Sequence, residues 1–143
     1  MNLLIEIINI SVYSTLGILL MIAGIFLIDL IVPCHFPTEI KKGNQGVGWL
    51  SAGSFIGIGI ILRIAIMSPT TQVMKESMMN GILNSILYFV LGILFLMFGY
   101  TALNFVNKRY NLNEEIGNGN VAAGIMVFGI FVGLALVISG VIY

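Results

Sequence analysis

Glu39-Ile40-Lys41-Lys42-Gly43-Asn44-Gln45-Gly46-Val47-Gly48 opens an apolar, glycine-studded run that ends near Met67. The same text returns 115 − 39 = 76 positions later as Glu115-Ile116-Gly117-Asn118-Gly119-Asn120-Val121-Ala122-Ala123-Gly124, and again leads into an apolar run. At that spacing identities fall at Glu39/Glu115, Ile40/Ile116, Gly43/Gly119, Asn44/Asn120, Gly48/Gly124, Gly53/Gly129, Phe55/Phe131, Gly57/Gly133 and Ile66/Ile142. That makes nine over the 28 aligned positions 39–66, without a gap. Apolar bias raises chance matches inside the runs, but it does not readily write Glu-Ile-x-x-Gly-Asn twice.

Working outward, the 143 residues are 59% hydrophobic and 8% charged, against about 25% charged residues in soluble domains. A membrane-spanning helix needs roughly 20 mainly apolar residues. Four runs qualify, at about 8–32, 46–67, 81–106 and 121–142, and leave no room for a soluble domain. The sequence predicts an all-α membrane protein, residues 1–143 forming one integral membrane domain of four spans. The domain divides into unit one (1–76) and unit two (77–143). Each unit carries two spans, an even number, so both enter the bilayer in the same direction as parallel repeats.

The boundaries follow local chemistry. Pro33 is expected to stop the first span, because proline cannot continue the helical hydrogen-bond ladder. The stretch from Thr38 to Lys42 reads as a polar interfacial turn after the boundary segment Cys34-His35-Phe36-Pro37. Asparagine is a preferred N-cap, so Gly43-Asn44 opens the second span and Asn120 the fourth. Met1-Asn2-Leu3-Leu4-Ile5-Glu6 lacks the basic region of a signal peptide, and the first run is expected to remain a span. Lys41 and Lys42 in one connector, and Lys108 and Arg109 in another, place connectors 33–45 and 107–120 in the cytoplasm with both termini outside. Arg63 and Lys75 weigh weakly against that orientation, and Tyr143 suits an interface.

Charge also limits partners. The formal net charge is zero and no basic cluster exists, which argues against nucleic acid. The lipid bilayer is the first expected partner, followed by other copies of the chain and a soluble cytoplasmic protein at the connectors. Cys34 is the single cysteine and His35 the single histidine. Two adjacent ligands make a poor metal site, and no nucleophile–base motif is legible. The expectation is a protein without cofactor or metal that is not an enzyme.

At the two Glu-Ile-x-x-Gly-Asn motifs the chain resembles the YshE/YjfL-like family of small bacterial membrane proteins (domain of unknown function 350). The four-span layout agrees over essentially the whole chain. The first copy departs from the pattern, with Gln45-Gly46-Val47 where the second has Val121-Ala122-Ala123. The resemblance implies a bacterial inner-membrane setting and a link to membrane-stress systems. It implies no reaction.

Six polar positions are candidates. Asn44 and Asn120 either cap their helices or together hold an anion at a mouth between helix N-termini. Glu39 and Glu115 are either solvated interface acids or a carboxylate pair that binds cations or relays protons. Asp29 and Arg63 lie within spans, where ionisable groups are functional candidates. Asp29 is placed near the cytoplasmic boundary or on an ion path, and Arg63 is expected to snorkel outward or to meet Glu6 or Glu76. Gly53, Gly57, Gly129 and Gly133 are packing candidates, since paired small residues let helix backbones approach closely. They are expected to join spans two and four at the centre, with spans one and three outside. The leading functional class is an assembling or scaffolding membrane component. An ion or small-solute channel or transporter subunit is the alternative.

Overall fold

The structure is a computed structural model and describes residues 3–32, 34–67 and 78–142. Among the described residues six helices follow one another: α1 (Leu3–Asp29), α2 (Phe36–Lys41), α3 (Gln45–Met67), α4 (Met78–Val106), α5 (Leu112–Gly117) and α6 (Val121–Ile142). Among the described residues there is no strand. Four helices, α1, α3, α4 and α6, are long and apolar enough to cross a membrane. At 1.5 Å per residue even the shortest, with 22 residues, spans about 33 Å, more than the hydrocarbon core needs.

α1 begins five residues earlier than the apolar pattern suggests and ends at Asp29 rather than Val32. Its exit is a tight turn in which the N–H groups of Ile31 and Val32 both donate to the carbonyl of Ile28. Pro33, Lys75, Glu76 and Tyr143 lie outside the described residues, as does the junction at 76/77.

The connectors hold short helices that the hydropathy pattern missed. α2 has Pro37 in its first turn, where a missing N–H costs nothing. α5 is capped by Asn111, whose side chain accepts from the N–H groups of Asn113 and Glu114. Each short helix is pinned by a buried residue at its first position, Phe36 in α2 and Leu112 in α5. A buried Ile116 adds a second anchor to α5.

α3 is the hub and packs against all five other helices, most extensively against α6. α1 lies outermost and buries only Gly24 and Ile28. α6 buries one face, formed by Ala123, Gly124, Val127, Phe131 and Ala135. The centre is therefore one helix, not the pair expected from the sequence. The large apolar side chains left exposed on α1, such as Ile10, Ile18 and Phe26, are what a lipid-facing helix presents.

Candidate functional site at the two bends

Both short helices end in the same way. Gly43 and Gly119 adopt φ of 78° and 84°, a left-handed conformation that glycine takes without a Cβ clash. The N–H of Gly43 donates to the carbonyl of Ile40, and that of Asn44 to the carbonyl of Glu39. In the second bend Gly119 and Asn120 donate to Ile116 and Glu115 in the same pattern. The asparagine then caps the long helix. Asn44 Oδ1 accepts from Val47 N at 3.0 Å, and Asn120 Oδ1 accepts from Ala122 N at 3.0 Å and Ala123 N at 3.3 Å.

The glutamates complete these caps. Asn44 Nδ2 donates to Glu39 Oε2 at 3.0 Å, and Asn120 Nδ2 donates to Glu115 Oε2 at 2.6 Å. Glu39 also pairs with Lys42 Nζ at 2.7 Å. The Lys42 ammonium first, and then the Asn44 amide, holds the Glu39 carboxyl below its ordinary value. Glu-Ile-x-x-Gly-Asn is thus a hydrogen-bonded bend: glutamate orients the asparagine amide, glycine reverses the chain, and the asparagine oxygen starts the next helix. The expectation of merely solvated acids is corrected on this point.

Only one asparagine reaches across. Asn44 Nδ2 also donates to the carbonyls of Gly117 at 2.9 Å and Ile116 at 3.2 Å, in the last turn of α5. A helix's final carbonyls have no partner within the helix, and Asn44 supplies one from the other bend. The Asn120 amide stays within its own bend, on Glu115. No spacing in the sequence distinguishes the two.

Asp29 is a staple. Its Oδ1 accepts from Phe36 N at 2.7 Å, and its Oδ2 lies 3.9 Å from His35 Nδ1. His35 offers α2 no side-chain cap, so Asp29, the last residue of α1, caps α2 from outside. Cys34 is half buried beside it. Burial, followed by the Glu39 and Asp29 carboxylates, pushes its thiol up to about 11, which leaves little thiolate for nucleophilic or redox chemistry at neutral pH. Arg63 is exposed on α3, and among the described residues no carboxylate pairs with it, Glu6 included.

The glycines divide. A Cβ on Gly53 would come within 2.6 Å of Phe128 Cα, and one on Gly57 within 3.1 Å of the Phe131 carbonyl oxygen. Both pack against α6 as expected. Gly129 and Gly133 would meet nothing within 4 Å, and this corrects their placement between α3 and α6. The closest backbone approach of α3 and α6 lies at Gly46 and Gly124, outside the glycine pairs expected to pack. A Cβ on Gly124 would run into the Gly46 backbone, its Cα at 2.9 Å among other atoms.

Interior polar groups are few. Ser54 and Ser85 donate back to the carbonyls of Leu50 and Gly81 within their own helices, the usual solution for a hydroxyl in an apolar helix. Among the described residues the buried Ser51 hydroxyl finds no hydrogen-bond partner.

Nearly the whole chain, residues 2–142, matches one family, Domain of Unknown Function (DUF350). The chain belongs to the DUF350 family. Within its reach, a UPF0719 transmembrane protein, YshE, of Bacillus subtilis (strain 168) is 28% identical over 134 residues, covering 94% of this chain and 92% of the relative. A UPF0719 transmembrane protein of Aquifex aeolicus (strain VF5) is 20% identical over 127 residues, covering 88% of this chain and 46% of that longer protein. No solved structure matches. This DUF350 chain is accordingly a membrane-spanning protein with four apolar helices.

Proposed function

We propose that the protein is a non-catalytic component of the bacterial inner membrane that assembles with itself and acts as a scaffold. It is two copies of one helical hairpin, inserted in the same direction, with both bends toward the cytoplasm and both termini outside. The observation that carries this reading is the fate of the polar candidates. Asp29, Glu39, Asn44, Glu115 and Asn120 each spend their hydrogen bonds on holding α2, α3, α5 and α6 in place. Polar groups committed to the backbone are poorly placed to pass an ion from site to site, because the ion would have to compete with the caps. What is left over is glycine-lined helix surface, the usual material of helix association in lipid. The exposed bends are suited to a soluble cytoplasmic protein, and a role in membrane stress would fit such a scaffold.

The test combines two measurements on protein in native lipid. Native mass should report more than one chain per particle, and reconstituted liposomes should show no ion or small-solute flux. A flux that disappears in Asp29→Ala or Asn44→Leu, in protein that still assembles, would replace the scaffold with a channel or transporter subunit. Particles of a single chain would remove self-assembly.

A further inference from the structure

The contact between α3 and α6 is lopsided, and the lopsidedness names a partner. The elements keep a constant spacing: 112 − 36, 117 − 41 and 121 − 45 all equal 76. Positions 76 apart can therefore be compared one to one. Were the two halves related by a two-fold axis, each contact would occur twice with the roles exchanged. The contacts do not. Gly46 lies against Ile116 and Asn120, Gly53 against Phe128, and Gly57 against Phe131. The exchanged versions would place Ala122, Gly129 and Gly133 against Ile40, Ala52 and Phe55. Ala122, Gly129 and Gly133 are all exposed instead.

One half thus offers a glycine-lined face to a differently built face on the other half. The second copy of each face is left open. The exposures match in pairs: Phe131 is 1% exposed and Phe55 43%, Ile116 is 0% and Ile40 48%, Ile61 is 0% and Val137 66%. Gly124 is buried on Gly46, while its counterpart Gly48 has nothing within 4 Å of a would-be Cβ. A groove of about 400 Å³ runs along the open face of the second half, lined by Glu115, Asn120, Ala122 and Met126 among others. One of about 360 Å³ marks the open face of the first half, at Gln45, Gly48, Trp49 and Ala52.

Resting on the self-assembly and duplication proposed above, we infer that these two open faces are halves of one interface between copies of this chain. The second half of one copy docks on the first half of the next and repeats the contact already made inside the chain. Asn120 would donate to the backbone carbonyls of Ile40 and Lys41 of the next copy, as Asn44 does to Ile116 and Gly117 here. Gly129 and Gly133 would lie under Ala52 and Phe55. The contact is heterologous, so it closes into a ring or propagates as an open array. Both halves cross the membrane in the same direction, so the ring axis lies along the membrane normal. Ala122 replaces Gly46 at the closest approach, and its methyl holds the chains farther apart than the halves within a chain. A stripe of glycines facing lipid would need no counterpart, whereas here each open position mirrors an occupied one. The Aquifex aeolicus relative, of which this chain spans 46%, is long enough to carry a second unit of this size in the same chain.

Disulfide trapping tests the inference. Two chains are co-expressed in a Cys34→Ser background, one carrying Gly48→Cys and the other Ala122→Cys, and membranes are oxidised. Mixed dimers are expected only when both chains are present. Phe98→Cys serves as the lipid-facing control, since Phe98 and its counterpart Ile22 are 70% and 63% exposed. Preferential Gly48–Gly48 or Ala122–Ala122 dimers would overturn the head-to-tail arrangement. An oligomer by native mass with no trapped dimer would move assembly to another surface, overturning this inference and leaving the scaffold standing; a single-chain particle would overturn both. A second variant needs no cysteine: Gly133→Leu should give folded single chains, and a native oligomer in its place would count against the interface.

Discussion

Asn44 Nδ2 donates across the molecule to the Gly117 carbonyl at 2.9 Å, while its counterpart Asn120 makes no such crossing. One side chain thereby caps α3, holds Glu39 and closes the end of α5. Loss of an asparagine N-cap costs about 1 kcal/mol. The partly buried Gly117 carbonyl, left without its donor, adds up to about 1 kcal/mol more. Asn44→Ala should therefore destabilise the fold more than Asn120→Ala, by up to about a factor of two, read as denaturant or thermal midpoints in one detergent. Equal losses would mean that the crossing bonds carry no net stability.

The Gly46–Gly124 approach predicts a steric asymmetry. Adding a methyl at Gly124 forces α3 and α6 apart, and such overpacking typically costs about 1–3 kcal/mol. Gly124→Ala and Gly53→Ala should lower the melting temperature. In chains dissociated to single copies by detergent, Gly129→Ala should leave it unchanged or raise it slightly, since alanine is the better helix former by about 1 kcal/mol. A similar fall in all three variants would contradict the division between packed and open glycines.

Acid should loosen the first bend. The Glu39 carboxyl is held below its ordinary value of 4.5 by Lys42 and Asn44. A carboxylate with a lower pKa folded than unfolded contributes stability that is complete above the ordinary value and is lost as pH falls through the lowered one. Protection factors of the Gly43 and Asn44 amides against hydrogen exchange should fall below about pH 4.5 in the parent. In Glu39→Gln that pH dependence should vanish.

Asp29 makes a prediction that separates its staple from an ion path. Asp29→Asn keeps an oxygen acceptor for Phe36 N, whereas Asp29→Ala removes it and strands that N–H, at a cost of about 1–3 kcal/mol. The asparagine variant should fold with near-parental stability and the alanine variant should not, as judged by thermal midpoint. An ion-path residue would show the reverse emphasis, with transport lost in both and stability unchanged.

Much of this architecture was legible in the residues. The four spans were readable because lipid demands long apolar helices, and that demand is written in composition. The bends were half readable. Asparagine at 44 and 120 signalled caps, and glycine at 43 and 119 a reversal. The glutamate-to-asparagine bonds were not anticipated, although they too join residues only five positions apart. The short helices α2 and α5 give no periodic signal because each is only six residues long and is held by one or two buried anchors, Phe36 in α2 and Leu112 with Ile116 in α5. Pro37 in the first turn of α2 and the capping Asn111 before α5 are the local clues.

What only the tertiary structure decided is which face meets which. Gly53 and Gly129 are the same residue type at equivalent positions of the repeat, yet one is clasped against Phe128 and the other is open. In water, hydropathy would separate an inner face from an outer one. In a bilayer the inner and outer faces are equally apolar, so hydropathy cannot distinguish them. Span positions and bend chemistry therefore follow from local sequence. The choice between Gly53 and Gly129, and the single crossing made by Asn44, arise from close packing between residues some 70 positions apart.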